Sequence, residues 1–181
     1  TCDDFLAAMA DANHVNLDGF QGWYQQAGTP QLRVRRHAGD DASHLLLSLS
    51  QQIPDTAAQT PRNALPLSLR LAFPEQQGKI VPTRLAADAA AQDEHVILLT
   101  EEHLEQRIYA PQAANLTPSI LRNFSAPVVV DDDLSPDERR HIMRYDTDLF
   151  NRWDSAQTLV SDEILAIAAD PQAAVNSDRI A

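Results

Sequence analysis

The spacing of hydrophobic residues changes twice along this chain of 181 residues. Near both ends, apolar residues recur every three to four positions, which is the spacing of a helix face. Between about residues 31 and 131 they alternate with polar residues, which is typical of a strand with one buried face. The chain is therefore predicted to have a helical beginning, a β-rich middle and a helical end.

The N-terminal part predicts two helices. Thr1 is placed to cap the first, and two aspartates follow it in the first turn, where negative charge suits the helix dipole. Asp18 is placed to cap the second helix, and Gly28 to end it. The bulky residues on the two apolar faces are Phe5, Met9, Phe20, Trp23 and Tyr24.

The middle part predicts about seven short strands. Segments 31–35 and 45–50 alternate on either side of a polar turn at 38–43, which indicates a hairpin. The segment 65–73 shows the most regular alternation in the chain. Further short strands are expected at 80–85, 95–100, 104–110 and 125–131, with a loop at 52–64. This pattern predicts a mainly β fold, an antiparallel immunoglobulin-like β-sandwich with two helices before it and two after it.

The C-terminal part predicts two more helices. Ser135, Pro136 and Glu138 supply an N-cap, a proline at the first helical position and the acidic residue that closes a capping box. A longer helix is expected from about Asp148 to Asp170. Its apolar face contains Phe150, Trp153, Val160, Ile164 and Ile167, and we expect Phe150 and Trp153 to seat it on the sandwich.

Composition and charge exclude several classes of protein. The chain is 44% hydrophobic and 22% charged, which is typical of a globular domain. Its net charge of −12 disfavours binding to nucleic acid or to an anionic membrane. The single cysteine cannot form an internal disulfide, and no signal-peptide pattern is visible. We therefore expect a cytoplasmic protein without nucleic-acid or membrane partners.

Two groups of residues could in principle hold a metal ion. His95 and His103 lie near Glu101 and Glu102, and such a set could bind zinc if the fold brought it together. A solvated turn is the favoured interpretation, because this spacing implies no fixed geometry. The run 131–133 consists of three aspartates, but calcium loops use alternate positions and a glycine. This run is expected to be an acidic linker.

Nucleophilic and phosphate-binding motifs are missing from the sequence. It contains neither a Gly-x-Ser-x-Gly elbow nor a glycine-rich loop. Cys2, alone near a helix start, is expected to be inert, and Trp23 with Tyr24 is expected to pack rather than to form a ligand platform. The residues alone thus predict an acidic sandwich with helical flanks and no visible active site.

Several segments, taken in order, resemble one family, and the resemblance runs from Thr1 to about Leu159. They are Thr1–Phe5, Phe20–Gln25, Ala27–Pro30, Leu47–Gln51, Pro66–Leu67, Leu121–Arg122, Phe124–Val128 and Phe150–Asp154. Together they resemble the middle of the bacterial aminopeptidase N family, which are zinc-dependent alanyl aminopeptidases of the M1 (gluzincin) group. By this resemblance, residues 1–30 are the helical end of the catalytic domain, 31–130 the β-sandwich domain, and 131–181 the first helices of the C-terminal helical domain.

The resemblance also implies which functional residues this chain lacks. The family binds zinc through His-Glu-x-x-His and a downstream Glu, and anchors the substrate amine through Gly-x-Met-Glu-Asn. Neither motif occurs here, so we expect no catalytic, metal-binding or substrate-binding residue, and zinc only in the longer parent enzyme. The expected role is a structural linker within an aminopeptidase. The linker's partners are the other domains of the parent enzyme, and peptides are the substrates of that enzyme. The residues expected to pack between domains are Phe5, Met9, Phe20, Trp23, Phe150 and Trp153.

Two other classes remain open at this stage. A stand-alone sandwich that binds a protein or carbohydrate would present exposed aromatic residues on a sheet face or at loop tips. A small metalloenzyme would need His95, His103 and Glu102 to converge.

Overall fold

The computed structural model of the protein describes residues 1–39, 43–55 and 63–169. The predicted turn at 38–43 and loop at 52–64 therefore lie partly outside the described residues. The predicted end of the last helix at Asp170 lies wholly outside them.

The described residues contain nine strands, five of them longer than three residues. In chain order these are β1 (Gln31–Ala38), β2 (His44–Gln52), β3 (Leu67–Ala72), β4 (Pro74–Glu75), β5 (Lys79–Ile80), β6 (Glu94–Leu99), β7 (His103–Tyr109), β8 (Ser119–Ile120) and β9 (Val129–Asp131). One sheet has the order β7-β2-β1-β9, the other has the order β6-β3-β8, and β4 and β5 form a separate pair. The predicted mainly β, immunoglobulin-like fold is confirmed.

The two larger sheets enclose an apolar core. Alternate residues of β2 and β3 are buried, as the leucine spacing of both segments predicts. The largest fully buried side chains are Phe73, Leu32, Leu47, Leu49, Leu65, Leu67, Leu69, Leu71, Leu99 and Ile108. Because side chains on a strand alternate between its two faces, this spacing determines which face of each strand is buried in the core.

Two details of the sheets differ from the prediction. Of the segment 80–85, only Ile80 lies in a strand, the two-residue β5, and Thr83 and Arg84 make isolated bridges to Gln92 and Tyr109. The last strand, β9, pairs in parallel with β1, whereas the other strand pairs are antiparallel. The reason is topological, because the chain crosses from β8 in one sheet to β9 in the other and arrives beside β1 in the same direction.

The first N-terminal helix begins as predicted, whereas the second is shorter than the sequence suggests. Helix α1 spans Cys2–Asn13 and begins with a capping box, in which Thr1 accepts from the Asp4 amide at 3.2 Å. The second predicted helix is a 3-10 turn at Asp18–Gln21 followed by one turn of helix, α2 (Gly22–Gln25). Asp18 is not its N-cap as predicted, because Asp18 already lies inside the turn and Leu17 takes the cap position without a side-chain bond.

The C-terminal helices follow the predicted starts. Helix α3 spans Pro136–Tyr145 and begins with the predicted capping box of Ser135 and Glu138. Helix α4 spans Leu149–Ala169, and Asp148 caps it by accepting from the Asn151 amide at 2.8 Å. Among the described residues, no helix combines the length and the hydropathy that crossing a membrane requires.

A polar joint between the sandwich and the C-terminal helices as candidate functional site

A cluster of polar and charged side chains, all buried except the partly buried Glu94, connects the three-stranded sheet to the region where α3 ends and α4 begins. We call this cluster the polar joint, and it consists of Glu94, Ser119, Arg122, Asp146 and Asn151. Its members come from β6, from β8 and the turn after it, from the residue that follows α3, and from α4. They are brought together only by the tertiary fold.

Arg122 is the centre of the polar joint, and its side chain is only 7% exposed. Its Nε donates to Glu94 Oε2 at 2.8 Å, and its Nη1 pairs with Asp146, whose side chain is 0% exposed. Its Nη2 donates to Thr147 Oγ1 at 2.8 Å. A guanidinium can make these bonds to several elements at once because its donors form a fixed planar fork.

Ser119 uses its full hydrogen-bonding capacity in the joint. Its hydroxyl donates to Asp146, and it accepts from Asn151 Nδ2 at 2.6 Å and from Arg122 Nη1 at 3.3 Å. Asn151 also donates to the Ile120 carbonyl at 2.9 Å. A serine hydroxyl has one donor and two acceptor sites, so this residue has no capacity left for a ligand.

The backbone around Arg122 adopts an uncommon conformation. Leu121, Asn123 and Phe124 all have positive φ, at 60°, 55° and 52°. Such a conformation costs about 1–2 kcal/mol for an ordinary L-residue, although asparagine tolerates it better. The backbone N–H of Asn123 donates to Asp148 Oδ2 at 2.8 Å, so the residue that caps α4 also stabilises this turn.

The charges of the joint stabilise one another. Burial on its own lowers the pKa of Arg122, but hydrogen bonds and charges from Glu94 and Asp146 raise that pKa above its ordinary value. Arg122 is therefore a permanent cation, and its role in the joint is to neutralise two carboxylates. This arrangement suits a structural connection, since an acid–base catalyst needs a group that titrates near neutral pH.

A second ionic connection joins β1 to the start of α3. Arg36 binds Asp133 Oδ1 through Nε at 2.7 Å and forms a two-pronged pair with Glu138. The hydrogen bonds that Arg36 donates to Glu138 raise the pKa of Arg36, although burial on its own would lower it. Burial raises the pKa of Glu138, but the bonds from Arg36 and Ser135 outweigh it and lower that pKa from 4.5 to about 2. The capping box of α3 is thus tied directly to the four-stranded sheet.

The three consecutive aspartates each have an arginine partner. Asp131 binds Arg33 and Arg35, Asp132 binds Arg139, and Asp133 binds Arg36. The aspartates therefore fasten the linker between β9 and α3 to strands and helix. This geometry supports the interpretation of an acidic linker, because three carboxylates that bind four different arginines do not converge on a cation.

The structure separates the histidines that a zinc site would need. His95 is buried on β6, and its Nε2 lies 2.9 Å from Thr83 Oγ1. His103 is exposed on β7 in the other sheet, 4.0 Å from Glu105. Within residues 1–39, 43–55 and 63–169, no group of three or more metal-ligating side chains lies close enough to hold an ion.

The expected domain-packing residues fall into two groups. Trp23 is half-buried against the core and donates to the Pro66 carbonyl at 3.2 Å, and Phe150 is half-buried against Phe124 at a ring distance of 5.1 Å. The remaining ones, Phe5, Met9, Phe20 and Trp153, are exposed. The expectation that Trp153 seats α4 on the sandwich is wrong, since Trp153 is 58% exposed and the face that packs inward is a different one.

The inward face of α4 is the feature that the sequence pattern missed. Its buried residues are Asn151, Ser155, Leu159 and Glu163. They follow a spacing of four, but three of the four are polar, so a search for apolar stripes cannot find them. A usable signal was the single arginine within the apolar segment around Leu121, together with two aspartates just before α4.

Exposed aromatic residues bear on the alternative of a binding module. Among the described residues, the large exposed aromatics lie on α1, α2, α4 and two 3-10 turns. None of them lies on a strand of the two larger sheets. The platform that a sheet-face ligand site would need is therefore missing from the part of the chain that the structure describes.

Comparison with known families and proteins agrees with this geometry. Residues 28–133 match a family described as a domain of unknown function (DUF3458) with an Ig-like fold, and residues 136–181 match DUF3458_C, described as ARM repeats. A solved structure titled Legionella pneumophila aminopeptidase A in complex with aspartic acid shares the fold, with a TM-score of 0.76 and 23% identity over 99% of this chain and 19% of that one.

Curated relatives extend the comparison to longer proteins. Aminopeptidase N of Escherichia coli is 30% identical over 91% of this chain, and aminopeptidase N of Caulobacter vibrioides is 34% identical over 100% of it. The chain spans only 18% and 20% of these relatives' lengths. The chain therefore belongs to the DUF3458 family of Ig-like domains, and it is homologous to bacterial aminopeptidase N over most of its length.

Proposed function

We propose that this chain is the linking segment of a zinc-dependent aminopeptidase of the M1 family, which removes N-terminal amino acids from peptides. In this proposal the segment holds the catalytic domain and the C-terminal helical domain in a fixed relation and carries no catalytic residue itself. The homology to aminopeptidase N over most of the chain supports the parent activity. The share of the relatives that it spans, 18–20%, supports the role of a part.

The observation that carries the structural role is the polar joint. Arg122 and Asp146 are almost completely buried, and their bonds are directional and saturated. Replacing a buried ion pair by apolar residues is often neutral or stabilising. We therefore take the pair's main contribution to be the relative placement of the elements it joins, and not the free energy of folding. A connector between two domains needs a specific angle, and a network with fixed donors and acceptors provides it.

The zinc of the proposed parent enzyme does not fit the residues of this chain. Its described histidines are separated or hydrogen-bonded to protein groups, and the aspartate run is paired with arginines. The zinc would be held by residues elsewhere in the longer protein. The chemistry of peptide hydrolysis would likewise lie outside the segment.

The division into domains forms part of the same proposal. Residues 1–30 would end the catalytic domain, 31–130 would form the sandwich, and 131–181 would begin the helical domain. The exposed side chains of Phe5, Met9 and Phe20 support contact between the first part and a neighbouring domain, because they are bulky, apolar and uncovered. The partners would then be the remaining domains of the same chain.

Charge and composition support the remaining proposals on partners and location. The net charge of −12 disfavours nucleic acid and anionic membranes as partners. The single cysteine is compatible with a reducing compartment, and we propose the cytoplasm.

A paired assay tests the parent activity and the inactivity of the segment. The 181-residue chain and the longer protein that contains it are purified, and each is given alanyl-p-nitroanilide while its zinc is measured by mass spectrometry. We expect hydrolysis and about one zinc per molecule from the longer protein and neither from the segment. Hydrolysis by the segment, or stoichiometric zinc in it, would contradict the proposal.

A pair of substitutions in the longer protein tests the scaffolding role. Asp146→Asn removes a buried charge of the joint, and Asp137→Asn removes an exposed charge of α3 whose side chain is 92% accessible. We expect only Asp146→Asn to lower the temperature at which peptidase activity is lost, with kcat at low temperature unchanged. A fall in kcat at low temperature without a change in Tm would indicate a direct catalytic role and overturn the proposal.

A further inference from the structure

Helix α4 presents an apolar stripe on its outer side. Leu149, Trp153, Val160 and Ile164 are all exposed, and we call this set the outer stripe. Trp153 is 58% and Ile164 60% exposed. Because a helix has 3.6 residues per turn, spacings of 4, 11 and 15 residues from Leu149 return to nearly the same side. These four side chains therefore form one line along the helix.

The outer stripe does not coincide with the face that α4 packs inward. At 100° per residue, the centre of the stripe lies about 130° around the helix from the buried set centred on Ser155 and Leu159. A surface helix normally turns its apolar stripe toward the core and its polar side outward. Here α4 binds the sandwich through the polar joint and leaves its apolar stripe uncovered.

The dimensions of the stripe define what would cover it. It runs from Leu149 to Ile164, and these two residues are 15 positions apart, which corresponds to about 22 Å of helix. None of its members is charged, and its one polar side-chain group is the indole N–H of Trp153, so its complement is an uncharged and mainly apolar surface of similar length. Trp153 stands out from this line as a large side chain, and close packing needs a small residue opposite it.

We propose that the outer stripe is the docking surface for a further helix of the longer protein. This helix would be amphipathic and at least about 15 residues long, with a small residue facing Trp153. Residues 136–181 match a family described as ARM repeats, and the relatives are about five times longer than this chain. In such repeats each helical unit buries its apolar faces against its neighbours, so an uncovered stripe on α4 marks the position of the next unit.

The proposal rests on one part of the proposed function, namely that this chain is a segment of a longer protein. It does not depend on zinc or on peptidase activity, so the two proposals can fail independently. A longer protein without peptidase activity could still cover the stripe. Conversely, an active enzyme could leave it exposed.

The test compares Ile164→Ala with Leu165→Ala in both the 181-residue chain and the longer protein. Leu165 is the residue after Ile164, is 66% exposed and points about 100° away from Ile164 around the helix. Leu165→Ala therefore removes a similar apolar side chain from a different face of α4. Alanine favours helix formation, so neither substitution threatens folding. Thermal unfolding is followed by calorimetry and by circular dichroism.

We expect Ile164→Ala to leave the Tm of the 181-residue chain unchanged or slightly raised, because its side chain is exposed there. In the longer protein the same change should lower the Tm of the helical part by at least about 3 °C. Leu165→Ala should lower neither. Equal effects of Ile164→Ala in the two proteins, or equal effects of the two substitutions in the longer protein, would overturn the proposal.

Light scattering distinguishes a second copy of the chain as the occupant. We expect Ile164→Ala to leave the molar mass of the longer protein in solution unchanged. If the longer protein is a dimer and Ile164→Ala converts it to a monomer, the stripe is an interface between copies and the proposal is wrong.

Discussion

The sandwich core and the polar joint both bury side chains almost completely, but they are built from opposite kinds of residue. In the core, leucines from facing sheets are fully buried and need only to match in shape and volume. In the joint, Arg122 and Asp146 are buried as deeply, and each must meet particular partners at hydrogen-bond distance. The core can exchange one apolar residue for another of similar size, whereas the joint cannot exchange any of its charged members alone.

This difference separates stability from placement. Apolar burial contributes roughly 25 cal/mol per Å² and does not depend on direction, so it holds the two sheets together without fixing a unique angle. The bonds of the joint have defined directions and link β6, β8 and α4 at single atoms. We infer that the core supplies most of the stability and that the joint determines where the C-terminal helices lie.

The largest effect is expected from breaking the joint at Arg122. Arg122→Met leaves the fully buried Asp146 carboxylate without its cation and removes one of the two arginines that bind Glu94, which should lower the free energy of unfolding by about 3–5 kcal/mol. Arg70→Met is the matched control, because Arg70 binds the same Glu94 carboxylate but is 41% exposed, so its loss should cost no more than about 1 kcal/mol. Urea denaturation of both variants measures the difference, and similar losses would mean that burial does not set the strength of the joint.

The core should respond through volume rather than charge. Leu69 is fully buried in β3, and Leu69→Ala should lower the free energy of unfolding by about 2–5 kcal/mol through lost burial and a cavity. Leu69→Met keeps the volume and should lower it by less than about 1.5 kcal/mol. If both substitutions lower the free energy of unfolding equally in urea denaturation, the core requires more than matching volume. The distinction between the core and the joint would then be wrong.

The link between β1 and α3 should show a defined pH dependence. The folded pKa of Glu138 is about 2 against an ordinary value of 4.5, so the ionised form stabilises the fold above about pH 4.5 and this contribution is lost as the pH falls toward 2. Glu138→Gln should lower stability by about 1.5–3 kcal/mol at pH 7.

Unfolding measured between pH 7 and pH 2 checks the sign of this dependence. The gap between wild type and Glu138→Gln should shrink as the pH falls. Glu105→Gln, at an exposed position of β7, serves as the control and should change stability by less than about 0.5 kcal/mol throughout. A gap that stays constant or widens toward acid pH would contradict the assignment of the charge to Glu138.

The smallest effect is expected at Trp153. Burial of a tryptophan in a core would make Trp153→Ala cost about 3–5 kcal/mol, but here the side chain is 58% exposed. In the 181-residue chain we expect a change of less than about 1 kcal/mol in the free energy of unfolding. A loss above about 3 kcal/mol would show that Trp153 is buried in solution and that the outer stripe is already covered.

Local signals in the sequence determined the core and the longer strands and helices of this protein. Alternation of leucines predicts β2 and β3 and the face of each that is buried, and capping residues predict the starts of α1 and α3. These signals depend on near neighbours in the chain, where period 2, period 3.6 and capping geometry act directly. The ordered resemblance to one family was likewise visible in the residues alone and is confirmed by the comparisons.

The tertiary structure alone decided how the helices attach. Arg122 meets Glu94 and Asp146 across sequence separations of 28 and 24 residues, and no local pattern encodes such a pairing. Periodicity groups Trp153 and Ile164 on one side of α4, but it does not say which side of a helix will be covered. Because buried charges can satisfy one another as completely as water does, the fold could place a polar face inward and leave the apolar stripe of α4 outside.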